Sequence, residues 1–270
     1  MNKIRIGLVG CGTIGSAIAQ ACFGRLKDKV SLVALSDSDP AKSADLRKRL
    51  KSDVPSVDLD QLVKKSDLVV EAASSKVSPL VLGMCIDAGR DCLIMSVGGL
   101  VGNEDLLKKA NESGVKVFIP SGAICGVDGL KSASCGTIES VILTTRKPIK
   151  GLEGAPYIKD KKLDLASIKT ETVIFEGNAE EAVRAFPQNV NVSAVLSLAG
   201  IGPKKTMVRI VTSPEYFKNI HEVEISGEFG KITTRTENIP SKTNPKTSAM
   251  AFFSAIATLE GITRSVRIGT

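Results

Sequence analysis

The sequence predicts an α/β protein: a doubly wound parallel sheet followed by a second, smaller α+β domain. Three observations carry this. A strand, a glycine-rich turn and an apolar helix open the chain. Apolar strands then alternate with helices as far as residue 120. Beyond that point the strands become longer, more charged and alternating in polarity.

The opening unit is "KIRIGLVGCGTIGSAIAQACF". Ile4, Ile6, Leu8 and Val9 read as a buried strand, and "SAIAQACF" continues as a helix. Between them Gly10, Gly12 and Gly15, with Thr13 and Ile14, fit G-x-G-x-x-G. Gly10 permits a tight turn, Gly12 lets a pyrophosphate approach the backbone, and Gly15 lets helix and strand pack closely. The phosphates would sit at the helix N-terminus, where unpaired N–H groups favour anions. The expectation is a Rossmann-type domain. The next strand, "VSLVALSDSD", ends at Asp37, placed to accept hydrogen bonds from ribose hydroxyls. A carboxylate there favours NAD; the small Ser36 and Ser38 leave NADP possible.

"SDLVVEAAS" is a third strand, ending at Ser74, and "SPLVLGMCIDAG" a helix. "DCLIMSVGGL", "NEDLLKKANESG" and "VKVFIP" read as strand, helix and strand. Ligands of such sheets bind beyond the strand carboxyl ends, which places Ser74, Gly98 and Gly99 near a cofactor; the glycine pair reads equally as a plain turn.

The predicted boundary falls at 120/121. Ser121 opens the loop "SGAICGVDG", which could receive a substrate carboxylate at a helix start, close over a nicotinamide, or act as a hinge. "ESVILTTRKP" is a long strand and "GLEGAPYIKDKKLD" a charged loop. "KTETVIFEG", "MVRIVTSP", "HEVEISGEF" and "GKITTRTEN" are further strands of an antiparallel or mixed sheet. Asn178 caps a short helix, and Asn189 and Asn191 flank the start of another. Three regions are expected: 1–120, a substrate, catalytic and dimerisation domain over 121–245, and a helix in 246–270 that packs back on the first domain.

Composition narrows the function. The chain has 270 residues, 43% hydrophobic and 24% charged, with a formal charge of +7. The basic residues are scattered, and two Tyr with no Trp give few stacking platforms, so nucleic acid is not an expected partner. No run approaches a membrane span, and the N-terminus lacks a signal-peptide pattern, so a cytoplasmic protein is expected. Six cysteines without a CxxC pair, beside one histidine, exclude a zinc-type ligand spacing.

The second half carries a more specific pattern. "FEGNAEEAVRAFPQNVNVSAVLSLAG", "SPEYFKNIHEVEISGEFG" and "NPKTSAMA", with "VVEAAS" and "IPSGAICGVDGLK", resemble the L-aspartate dehydrogenases that serve NAD biosynthesis. The resemblance implies oxidation of L-aspartate to iminoaspartate with hydride transfer to NAD or NADP. The imine would hydrolyse to oxaloacetate and ammonia or enter quinolinate synthesis. It implies a Rossmann domain with a smaller α/β domain in a homodimer. The family's catalytic histidine matches His221. Its cofactor contacts match Ala123 and an asparagine of "PQNVNV", Asn191 ahead of Asn189.

The chemistry agrees. Aspartate must shed an ammonium proton before its Cα hydrogen can leave as hydride, and a histidine with an ordinary pKa of about 6.5 suits that task. His221 is the sole candidate, expected at the leading end of a strand, with Glu222 facing away from it. Candidate carboxylate donors are Arg146, Lys147, the Ser121 loop, and Lys246 with Thr247 at the last helix start, the last pair being preferred. Each also reads as a surface charge or helix cap. A reductase of the dihydrodipicolinate or homoserine type, or a regulator that binds NAD without turnover, are the competing readings.

Overall fold

A computed structural model describes residues 3–187, 191–239 and 247–269. The chain forms two compact units, Met1–Pro120 with Phe252–Val266, and Ser121–Ala251 with Arg267–Thr270.

In the first unit the strands are β1 (Ile4–Val9), β2 (Val30–Ser36), β3 (Leu68–Glu71), β4 (Asp91–Ile94) and β5 (Val117–Phe118). The helices are α1 (Thr13–Phe23), α2 (Pro40–Leu50), α3 (Leu59–Lys65), α4 (Ser78–Asp87) and α5 (Glu104–Ser113). The sheet order is β2-β1-β3-β4-β5, all parallel. β3 is buried along its whole length, as a strand covered on both faces must be. Ile18, Ala19 and Cys22 of α1 pack with Leu8, Leu32, Leu35 and Val70. Ala255, Ile256 and Leu259 of the C-terminal helix α11 (Ala249–Ile262) join that core. The chain order reverses at β1, with β2 on one side and β3 on the other. Such a switch opens a crevice beyond the carboxyl ends of the two strands.

The second unit holds β6 (Ile138–Pro148), β7 (Thr172–Asn178), β8 (Met207–Ser213), β9 (Asn219–Gly227) and β10 (Gly230–Asn238). Its other helices are α6 (Val127–Ala133), α7 (Ile149–Leu152), α8 (Pro156–Asp160), α9 (Ala179–Ala185) and α10 (Asn191–Ala199). The sheet order is β10-β9-β6-β8-β7. β6 and β8 run parallel while the other pairs are antiparallel, so the sheet is mixed. Val141, Leu143, Val223 and Ile225 pack with Ile124, Leu130, Val192 and Leu196. Phe175, Val208 and Ile210 pack with Leu152, Ile158 and Phe186.

The segment read as a charged loop, 151–164, holds the end of α7 and all of α8. Leu152 and Ile158 are buried there, and the Tyr157 ring lies 5.4 Å from that of Phe175. A few apolar anchors fold short helices that the flanking glycines and lysines conceal. α3 was likewise not foreseen. α9 begins with a reciprocal cap: the Asn178 side chain accepts the Glu181 N–H, and Glu181 accepts the Asn178 N–H, both at 2.9 Å. Asn178→Ala is expected to cost about 1 kcal/mol in urea unfolding with little change in turnover.

Candidate active site

The glycine turn shows three separate constraints. Gly10 has φ +94° and donates its N–H to the Ser36 carbonyl at 2.8 Å. Gly12 caps α1 with no side chain on the helix N–H groups, and nothing lies within 4 Å of where its Cβ would stand. A Cβ on Gly15 would strike the Gly10 carbonyl oxygen. An open approach above Gly12, between a tight turn and a close packing contact, is what a pyrophosphate needs. The residues therefore fit a dinucleotide, with Thr13 and Ile14 beginning the helix beneath it.

Asp37 does more than its ribose role predicts. One carboxylate oxygen accepts the Cys11 N–H at 2.7 Å and the other accepts the Asp39 N–H at 2.9 Å. The carboxylate thus fixes the glycine turn, and each oxygen keeps further lone-pair capacity for a ribose diol. Burial, with Asp37 adding to it, pushes the Cys11 thiol up to about 12. That sulfur is a packing group and not a nucleophile.

Glu71 is the residue that sequence reasoning passed over. It ends β3 at 0% exposure. One oxygen accepts the N–H groups of Ala73 at 2.8 Å and Ser74 at 3.1 Å, and the other accepts Ser96 N–H at 3.0 Å. Burial raises its pKa against the pull of these donors. The signal was available as a carboxylate closing a wholly apolar strand. Ser74 is exposed at this edge, its N–H tied to Glu71. Gly98 and Gly99 lie in one 3₁₀ turn, Val97–Leu100, where a Cβ on Gly99 would meet the Ser75 carbonyl and the Ser78 hydroxyl.

In the second unit His221 is the third residue of β9, two residues in from the strand's leading end, where it was expected. Asn219 and Ile220 extend the ladder by pairing with Asn238 and Glu237 of β10. Thr145 of β6 and Thr236 of β10 stand directly opposite His221. Its imidazole is 5% exposed, and Nδ1 lies 3.1 Å from Thr145 Oγ1. Thr145 thereby fixes the orientation of the ring.

Glu222 faces away, as expected, and takes part in a charged network on the opposite face. Arg146 stands 3.4 Å from Glu222 and 3.7 Å from Glu171, and Arg235 stands 3.2 Å from Glu222. Of the two adjacent cations, Arg146 therefore belongs to that network, and Lys147 lies on the His221 face with Thr145.

The Ser121 loop is pinned beside His221. Thr236 Oγ1 donates to the Ala123 carbonyl at 3.0 Å, Asn238 Nδ2 to the same oxygen at 2.9 Å, and Thr234 Oγ1 to the Cys125 carbonyl at 3.1 Å. Ala123 and His221 are thereby brought together through Thr236. Asn191 is the first residue of α10, and its neighbour Val192 lies 3.8 Å from a Cβ placed on Gly122. α6 offers less to an anion than expected, being one short helix with Asp128 in its first turn. Asn189 and Lys246 lie outside the described residues. Thr247 stands two residues ahead of α11, and among the described residues no hydrogen bond ties it or Ser121 to His221.

Burial, followed by the nearby Lys147 cation, lowers His221 from 6.5 to about 3. The expectation of a group titrating near neutrality in the free protein gives way to a neutral imidazole. The folded pKa lies below the unfolded one, so the folded chain binds fewer protons. This contribution to stability is complete above 6.5 and is lost as pH falls through about 3. NMR of the only imidazole is expected to show no titration between about pH 5 and 8 in the free protein. A midpoint near 6.5 would contradict the burial argument.

A dinucleotide-binding parallel unit joined to a mixed-sheet unit with a buried neutral histidine defines a nicotinamide-nucleotide-dependent dehydrogenase of two units. Residues 10–120 match the family described as homoserine dehydrogenase, NAD binding domain, and residues 128–262 match aspartate dehydrogenase, C-terminal. The L-aspartate dehydrogenase of Methanosarcina barkeri is 46% identical over 271 residues, covering 99% of this chain and all of that protein. That of Bradyrhizobium diazoefficiens is 36% identical over 269 residues, covering 100% of this chain and 95% of that protein. The chain belongs to the L-aspartate dehydrogenase family. The crystal structure of aspartate dehydrogenase from Thermotoga maritima superimposes with a TM-score of 0.73 at 27% identity, covering 99% of this chain and all of that one. Scyllo-inositol dehydrogenase of Lactobacillus casei shares the fold, with a TM-score of 0.57 at 18% identity.

Proposed function

We propose that this chain oxidises L-aspartate to iminoaspartate, with the hydride passing to NAD or NADP. The observation that carries the reading is the buried imidazole of His221, in a unit that matches the aspartate dehydrogenase C-terminal family. A bound nicotinamide ring supplies the hydride acceptor. Gly10, Gly12, Thr13, Ile14 and Gly15 hold the pyrophosphate, and Asp37 the adenosine ribose. Ser74 lines the strand ends, and Ala123 with Asn191 or Asn189 contacts the nicotinamide side.

His221 takes the proton from the substrate ammonium. The nitrogen lone pair then forms the C=N bond as the Cα hydrogen departs with its electron pair. A neutral ring is ready to accept that proton, and the Thr145 contact fixes which ring nitrogen faces the substrate. Substrate carboxylates arriving beside the ring favour its protonated form, so His221 is a stronger base in the complex than in the free protein. The imine then hydrolyses to oxaloacetate and ammonia or passes to quinolinate formation.

Asp37 disfavours a 2′-phosphate, which supports NAD as the main cofactor. Lys42 and Arg49 lie close enough to weigh on the Cys11 thiol, and their positive charge keeps NADP possible. A homodimer is supported by the family and by large apolar side chains left open on the second unit, among them Phe217 at 82% exposure. Among the described residues no helix is long and apolar enough to cross a membrane, and the cytoplasm is the proposed location.

Purified chain mixed with NAD at alkaline pH is expected to form NADH with L-aspartate but not with homoserine or malate. NAD binding without turnover on L-aspartate would overturn the reading in favour of a sensing role.

A further inference from the structure

We propose that Lys147 is the cationic anchor for one carboxylate of the dicarboxylic substrate, set beside His221 on one face of the mixed sheet. The inference rests on the reading that L-aspartate is the substrate and adds a residue that recognises it.

The register places the two groups together. His221 on β9 pairs with Thr145 on β6, and Lys147 follows Thr145 by two residues, on the same face and about 7 Å further along the strand. On the other side of β6, Lys147 pairs with Thr212 of β8, whose hydroxyl donates to the Lys147 carbonyl at 2.7 Å. Three adjacent strands therefore fix this end of the sheet. α7 folds back over it, bringing a Cβ on Gly151 within 3.8 Å of the Lys147 Cβ.

Burial distinguishes Lys147 from the other cations. It is 4% exposed and is the one lysine or arginine in the buried class among the described residues. Lysine is rarely buried to that extent, because removing an ammonium from water costs several kcal/mol. Several other cations of this sheet form ion pairs with carboxylates. Arg146 and Arg235 reach Glu222 on the far face, Arg209 reaches Glu176, and Lys218 reaches Glu237.

Proximity is also felt by the imidazole, since the Lys147 cation is the second cause, after burial, of the lowered His221 pKa. The other groups facing His221 across the ladder, Thr145 and Thr236, carry no charge. A carboxylate drawn to Lys147 brings the substrate next to His221. It also offsets the Lys147 charge, which opposes protonation of the ring. Binding of an acid and readiness to take a proton are then coupled through one lysine.

The test uses the full-length chain with NAD present. K147M is expected to raise the KM for L-aspartate and the Kd for succinate, an unreactive dicarboxylate, by about 100-fold each. The affinity for NAD should stay unchanged, and K147R should recover part of the loss. In the unmodified chain succinate should raise the pKa of the single imidazole, and in K147M it should not. K147Q, which keeps a polar head if methionine fails to pack, carries the same expectations. A variant with wild-type KM and succinate affinity, in a chain that oxidises L-aspartate, overturns the role of Lys147 alone. A chain inactive on L-aspartate removes the reaction, and succinate binding then decides the lysine by itself.

Discussion

The contact on which the second unit depends is the 3.1 Å approach of Thr145 Oγ1 to His221 Nδ1, across the β6–β9 ladder. Both residues lie inside strands, so neither can move without shifting the sheet. An imidazole at such a position gives up water and becomes hard to protonate, which the lowering to about 3 records. The loss is useful where the ring must be an acceptor when substrate arrives. A histidine in a surface loop would spend much of its time protonated near its ordinary pKa of about 6.5, and would hold no fixed direction.

The dinucleotide edge is organised by carboxylates in a different way. Asp37 and Glu71 both spend their oxygens on backbone N–H groups of the loops that leave β1, β3 and β4. Loops bearing a binding site have few apolar contacts to hold them, and charge-assisted hydrogen bonds supply the rigidity instead. Burying Glu71 carries a desolvation cost, which three backbone N–H groups and the Ser96 side chain partly offset. The glycines then set shape: Gly12 leaves the approach open, and Gly15 brings helix and strand into contact.

Much of this was legible because it is local. The fingerprint glycines, the alternation of strands and helices, and the Asn178 cap depend on neighbours within a few residues, and each appears at its place. His221 could be singled out only through the block around it. Its setting was not legible. The strand's leading end was expected at His221, but β9 begins two residues earlier, where Asn219 and Ile220 pair with β10. Thr145, Glu71 and Lys147 owe their significance to partners far off in the chain. Thr145 lies 76 positions from His221, and Glu71 lies 25 from Ser96. No local pattern separates Lys147 from Arg146 until the strand register assigns them to opposite faces.

The claim that a neutral His221 accepts the substrate proton is tested most directly by removing the ring and supplying it from solution. The account predicts that His221→Gly, still folded and still binding NAD, loses turnover on L-aspartate by about 100-fold or more. Added imidazole should restore NADH formation in proportion to its neutral form. Turnover near the wild-type rate, indifferent to added imidazole, would contradict it.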